Sequence, residues 1–248
     1  MQKILAWLLS AVLLILSACT ARQPAALATE NTDFSPLSLP EEQPASTAIP
    51  SAPLSGPTDP WYLLLVNAWH PLSEDFSVTL TQLKNGHAVD SRAYPKLQEM
   101  IDTMRAQGLS PVICSSYRTA EKQQTLYTNK VDRYLAEGYA PAQAKQEAAN
   151  WVAVPGTSEH QTGLAVDIVD LDDQILDAQQ EHTAVQQWLM AHAWEYGFIL
   201  RYPSHKSHIT GIDYEPWHYR YVEPAAAKEM FQSGLCLEEY LDSIAQHE

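Results

Sequence analysis

The spacing of apolar positions divides the chain into three stretches. Residues 1–19, "MQKILAWLLSAVLLILSAC", place an apolar run behind a single lysine. With small residues after it, the run is too short and wrongly flanked for a membrane span, and it predicts a secretory signal. Residues 20–58 follow neither a helical nor a strand period and are rich in Ala, Pro, Ser and Thr, as in "PASTAIPSAPLSGPTDP". Such a stretch cannot bury a core and is expected to be an extended, disordered tether. Regular patterning begins near Trp61. Residues 59–248 are therefore expected to form one domain, and about 190 residues suffice for a real core.

Within that domain, "WYLLLVNAW" (61–69), "SPVICSS" (110–116), "LAVDI" (164–168), "FILRY" (198–202) and "WHYRYV" (217–222) are short apolar runs that read as strands. Helical spacing alternates with them. Leu97, Ile101 and Met104 share a face after Pro95, with Gly108 placed to end that helix. Thr119 reads as an N-cap, followed by Tyr127, Val131, Tyr134 and Leu135 at helical intervals. A third helix should follow Pro141, and Val185, Trp188, Leu189 and Tyr196 make the face of another, closed by Gly197. "VAVPGTSEHQTG" and "SHKSHITGIDYEP" read as loops, and the C-terminus as helical. Strands and helices are interspersed without a strict βαβ repeat. The predicted class is α+β: a small, mostly antiparallel sheet with helices packed on it.

Composition narrows the function. Fifteen Lys+Arg against thirty acids give a formal charge of −15. Phosphate contacts need clustered cations, so no nucleic-acid partner is expected, and there is no polybasic membrane patch. No protein partner is suggested either. Cys114 and Cys236 could pair in an exported protein, although Cys114 sits in an apolar run and suits a small core position.

Two stretches carry candidate chemistry. In "GTSEHQTGLAVDI" (156–168), Leu164, Val166 and Ile168 should share the core face of a strand, leaving Asp167 on the other. An acid in so apolar a strand needs a cation or an arginine beside it. His160 precedes it on a loop and can reach it only if the chain folds back, which Gly163 permits. The bland alternative is a surface histidine and a salt-bridged aspartate. In "DYEPWHYRYV" (213–222), Pro216 favours a turn or bulge that would bring Glu215 near His218. Here the alternative is an aromatic edge strand with a satisfied histidine. Together His160, Asp167 and His218 make a two-histidine, one-carboxylate set, the kind of three-ligand shell catalytic zinc uses. Zinc brings the pKa of its water from about 15.7 towards 7, and Glu215 suits the role of proton carrier. Arg118, in "CSSYRT" (114–119), could stabilise an oxyanion, with Ser116 and Tyr117 adding hydrogen bonds to a peptide. His205 and His208 could rim the site but are not expected as ligands, and His70 and His87 read as surface residues.

"SSYRT", "SEHQTGLAVD" and "EPWHYRYV" resemble, in order, the S-x-Y-R, S-x-H-x-x-G-x-A-x-D and E-x-W-H motifs of the VanY-type D-alanyl-D-alanine carboxypeptidases. These are zinc peptidases grouped with VanX-type dipeptidases and, more remotely, the hedgehog signalling domain. The resemblance runs from about Trp61 to the end. It implies one zinc on His160, Asp167 and His218, Glu215 as catalytic acid/base, and Arg118 on the scissile carbonyl. It also implies that Ser158 and Ser116 hold the peptide, and it suggests a role for Gln124. Ala68 and Trp69 depart from the family's usual charged pair. "LSAC" (16–19) resembles a bacterial lipobox, which implies a diacylglycerol on Cys19 and an extracytoplasmic, membrane-anchored enzyme. The implied reaction is removal of the C-terminal D-alanine from peptidoglycan stem peptides. The alternatives are an L,D-carboxypeptidase on tetrapeptide stems, an endopeptidase, a non-catalytic wall-binding module, and a transporter's substrate-binding lipoprotein.

Overall fold

The computed structural model describes residues 60–246. The expected signal segment, Cys19 and the tether lie outside the described residues. The element order is β1 (Leu80–Gln82), β2 (Ala88–Asp90), α1 (Tyr94–Ala106), β3 (Pro111–Ser115), α2 (Ala120–Ala136), α3 (Pro141–Ala149), β4 (Ala165–Asp170), α4 (Ala184–His192), β5 (Phe198–Leu200), α5 (Ser207–Thr210), β6 (His218–Tyr221), α6 (Pro224–Ser233) and α7 (Leu237–Ala245). This is the α+β arrangement the pattern predicts. Strands β3, β4, β6 and β5 form an antiparallel sheet in that order, and β1 pairs with β2 as a separate hairpin.

Alternation along the strands sorts side chains between the two faces of the sheet. Val166, Ile168, Tyr219 and Tyr221 pack against Leu97, Met100, Ile101 and Met104 of α1 and against Val185 and Leu189 of α4. Asp167, between Val166 and Ile168, and His218, one position before Tyr219, take the opposite face. A second core joins Ile199 and Val222 to α6 and α7, and α2 and α3 pack around Val131, Ala144 and Ala148. Thr119 caps α2, its side chain accepting from the Lys122 N–H.

Two local expectations need correcting, for residues 61–69 and 204–216, and two further features were not predicted either way. "WYLLLVNAW" is not a strand. Trp61–Leu63 form a 3-10 turn, and the carbonyls of Tyr62 and Leu64 accept from the buried Arg220 guanidinium at 3.2 and 2.7 Å instead of from a sheet partner. The β1–β2 hairpin had no prediction, although "NG" at Asn85–Gly86 signals a turn; its strands are only three residues each. The loop at 204–216 contains the short helix α5. Cys114 and Cys236 are free thiols and do not pair.

Candidate metal centre and its cleft

Asp167 and His218 meet because of strand register. β4 and β6 pair them directly, while the flanking ladder bonds run from Ile168 N to the Trp217 carbonyl and from Tyr221 N to the Leu164 carbonyl. Directly opposed residues of this kind bring their side chains close on one face. His160 arrives differently. Glu159–Thr162 form a 3-10 turn, and Gly163 follows in the left-handed region at φ 75°, folding the chain back so that the histidine faces the acid seven residues later. A side chain does not fit at Gly163, since its Cβ would stand 2.9 Å from the Asp90 N. The hairpin holds the end of this turn and also Ser116, whose carbonyl meets His160. Asp90 N donates to the Gly163 carbonyl at 2.9 Å, and Ala88 N donates to Ser116 Oγ at 3.1 Å.

The three residues offer ligand atoms that all lie within 4.8 Å of one another, and all three are buried. His160 Nε2 is 3.3 Å from Asp167 Oδ2, and His218 Nδ1 is 3.1 Å from Asp167 Oδ1. The imidazoles stand nearly perpendicular, with centroids 4.8 Å apart. Each ring's other nitrogen faces an oxygen, by a hydrogen bond for His160 and at a longer distance for His218. His160 Nδ1 lies 2.9 Å from the Ser116 carbonyl, which can only accept, so Nδ1 donates and Nε2 keeps its lone pair. His218 Nε2 faces Glu159 Oε2 at 3.5 Å, and each of these buried atoms is otherwise unpartnered. That leaves Nδ1 as the His218 nitrogen turned to the site. Two oriented imidazoles and a carboxylate, each imidazole braced from behind, fit a divalent cation of the zinc type.

Charge says the same. Burial, reinforced by Arg118, lowers the His160 pKa to about 4 despite Asp167. Burial alone would lower His218, but its hydrogen bond to Asp167 and the Glu159 carboxylate beside it outweigh burial and raise it to about 9. The carboxylates around His218 thus favour positive charge at that point. A metal would take the place of a proton there, as metal binding at histidine does generally.

Behind His218 lies a buried network with no counterpart in the sequence reading. Glu159 Oε1 accepts from Arg201 Nε at 2.8 Å and from Arg220 Nη1 at 2.7 Å, and all three side chains are fully buried. Arg201 continues to Glu238, whose Oε1 also takes the Asn67 amide at 3.0 Å. The available signal was an acid beside the first histidine and two arginines in otherwise apolar strands, none affordable without partners.

Glu215 sits where the Pro216 turn was expected to put it. His218 N donates to the Glu215 carbonyl at 3.1 Å, closing the turn, and Glu215 Oε2 is 3.7 Å from His218 Nδ1. Burial raises its pKa to about 8, against the pull of His218. Arg118 Nη2 donates to Asp167 Oδ2 at 2.9 Å, and its Nε donates to Ser115 Oγ at 2.9 Å. Arg118, Ser158, Glu215 and the three candidate ligands line one cleft of about 390 Å³, with Trp151, Tyr202 and Trp217 among its aromatic walls.

The other predicted peptide contacts fall elsewhere. Ser116 is buried beneath His160, its hydroxyl bonded to the Ala88 N–H, and it bears on the site through its carbonyl. Tyr117 is not among the cleft-lining residues; its N–H is tied to the Ala88 carbonyl. Gln124 is exposed and bonds Thr128 one turn along α2. The glutamine turned inward is its neighbour Gln123, which faces Arg118 Nη1 at 3.4 Å and donates to the Ala153 carbonyl at 2.7 Å. One step along a helix rotates a side chain by about 100°, so adjacent glutamines cannot share a face. His205 and His208 are exposed and stand apart from the cluster.

The family model for VanY, described as D-alanyl-D-alanine carboxypeptidase, matches residues 86–224. A D-alanyl-D-alanine carboxypeptidase of Enterococcus faecalis is 48% identical over 202 residues, covering 82% of this chain and 74% of its own length. The solved structure of VanYB in complex with D-alanine-D-alanine superposes with a TM-score of 0.69 at 49% identity, covering 74% of this chain and 98% of that one. A VanY variant from the VanB-type resistance cassette, solved with Zn(II), gives 0.68 at 49% identity, over 73% and 99% of the two chains.

Proposed function

We propose, from the premise that the chain belongs to the VanY family of D-alanyl-D-alanine carboxypeptidases, an assignment of roles to its residues. The protein is a zinc metallocarboxypeptidase that removes the C-terminal D-alanine from peptidoglycan stem peptides. His160 through Nε2, His218 through Nδ1 and Asp167 hold the zinc. When bound, the zinc supplies a Lewis acid and makes water acidic enough to act near neutral pH.

The chain's own groups do the rest. Glu215 takes the proton that the attacking water loses as its oxygen adds to the peptide carbonyl carbon. It returns that proton to the nitrogen as the C–N bond breaks, so the products are a carboxylate and free D-alanine. Burial raises its pKa, which suits a carboxylate that must hold a proton and then give it back. Arg118, fixed by Asp167 and Ser115, supplies positive charge where the carbonyl oxygen becomes negative. Ser158 lines the cleft and offers the peptide a hydroxyl.

The observation that carries this reading is the convergence of two imidazoles, Asp167 and Glu215 at one cleft from three separate segments. Glu215→Gln should keep its zinc, measured by elemental analysis, while D-alanine release falls by about 10²–10⁴. A variant that releases D-alanine at the parental rate would refute the role.

We further propose that Cys19 is lipidated and that the enzyme works on the outer face of the bacterial cytoplasmic membrane, tethered by residues 20–58. The support is the "LSAC" sequence and the composition of the stretch after it. The full-length protein should partition into the detergent phase and Cys19→Ala into the aqueous phase; equal partitioning would dismiss the anchor.

A further inference from the structure

Helix α2 lines the cleft with Leu126, Asn129, Lys130 and Arg133. Their spacing of i, i+3, i+4 and i+7 is a single helical stripe, so one face of α2 belongs to the cleft. Three cations thus reach it: Arg118, Lys130 and Arg133. Two are committed. Arg118 is held by Asp167 at 2.9 Å, and Arg133 donates to Glu137 at 3.0 Å. Among the described residues, Lys130 makes neither an ion pair nor a hydrogen bond. Its ammonium is held over the Trp151 ring, 5.2 Å from the centroid, and near the Tyr134 ring at 5.6 Å. Cation–π contacts of this kind locate an ammonium without neutralising it.

What distinguishes Lys130 is its place: of the three cations lining the cleft, it alone makes no ion pair among the described residues. Lys130 is half-buried on the wall of the cleft that holds the candidate metal set, and burial together with the adjacent Arg133 lowers its pKa. Glu137 and Glu215 act on it only from beyond ion-pair distance, so a partly desolvated cation with no direct partner favours an anion that enters the cleft.

We infer that Lys130 is a specificity residue that binds a carboxylate of the stem peptide. The inference rests on the carboxypeptidase reading of the cleft. Two carboxylates have the required chemistry: the terminal one on the departing D-alanine, and the one carried by an acidic residue further up the stem. In either case a peptide lacking that charge leaves the ammonium unpaired, and a site built around such a pair rejects the analogue that lacks it. Recognition of the terminal carboxylate would make the enzyme an exopeptidase, because an internal peptide bond offers no such group.

The test uses the zinc-loaded enzyme and two pairs of stem pentapeptides. One pair differs in a C-terminal acid or amide, the other in an acid or amide at the upstream acidic residue. Released D-alanine or D-alaninamide is followed by mass. The parent should prefer the acid in one pair by about tenfold or more in kcat/KM, as a charged hydrogen bond warrants. Lys130→Met should bring that ratio near unity, chiefly through KM, while Lys130→Arg keeps it. Zinc content should stay unchanged in both. Lys130→Gln serves in place of the methionine variant if the latter does not fold. A preference that survives loss of the ammonium in both pairs, or a parent with no preference in either, overturns the inference and leaves the carboxypeptidase reading standing. A parent that releases nothing from any of the peptides overturns both.

Discussion

Glu159 shows how much of a candidate metal site lies one residue behind the groups proposed to hold the ion. Its carboxylate spends Oε1 on two buried guanidinium groups and turns Oε2 towards His218 Nε2. It thereby selects which nitrogen of His218 faces Asp167. Partners of this kind typically change metal affinity by 10–100-fold. Glu159→Gln is expected to weaken zinc binding by about that factor, read by competition with a chromophoric chelator. It should also cost about 3–5 kcal/mol of stability, because Arg201 and Arg220 are left buried with too little negative charge. Destabilisation with unaltered zinc affinity would reduce Glu159 to a purely structural residue. The neighbouring glutamines carry the opposite lesson. Motif spacing pointed to Gln124, whereas the helix turns Gln123 to the arginine, a difference visible only once the phase of α2 is known.

At the level of elements, α7 is held to the site by charge as much as by packing. Leu237 and Tyr240 enter the second core. Glu238 joins Arg201, and Glu239 binds Lys206 at 2.7 Å while accepting from the Cys236 N–H at 2.9 Å. Burial would raise the Glu239 pKa, but Lys206 and the Cys236 N–H prevail and hold it below its usual 4.5. A carboxylate depressed in the folded state stabilises the fold above its unfolded pKa, and that contribution disappears as pH falls through the folded value. The melting temperature of Glu239→Gln should therefore lie below the parent's near neutrality, with the gap closing below about pH 4.5. A gap independent of pH would show that the carboxylate's charge is not what matters. The helices themselves were largely readable, because Pro95, Thr119 and Pro141 mark their starts and apolar spacing marks their buried faces. The opening "WYLLLVNAW" was not, since hydropathy cannot tell carbonyls that join a sheet from carbonyls that accept from an arginine some 156 residues away.

For the molecule as a whole, the proposed metal set ties together β4, β6 and the Glu159–Thr162 turn, and the β1–β2 hairpin holds the end of that turn through Asp90 N and the Gly163 carbonyl. Zinc should accordingly stabilise the fold as well as the reaction. At zinc concentrations about 100-fold above the dissociation constant, linkage amounts to about 2.7 kcal/mol. Chelation is expected to abolish D-alanine release and lower the melting temperature, and zinc should restore both. Loss of activity with an unmoved melting temperature would mean that the three groups are not jointly engaged by the metal.

Sequence alone determined the α+β class and several helix starts, because periodicity and caps are local signals with local causes, while the residues that converge were singled out by the order of three motifs that resemble the VanY family. It also pointed to Glu215 beside His218, since a proline turn acts over three residues. Tertiary structure alone decided which imidazole nitrogen faces the site, that Glu159, Arg201 and Arg220 brace it, that Gln123 rather than Gln124 turns inward, and that Lys130 stands unpaired in the cleft. Each of these depends on register, helix phase or a partner distant in the chain, and those are settled only when the faces of separate elements are packed together.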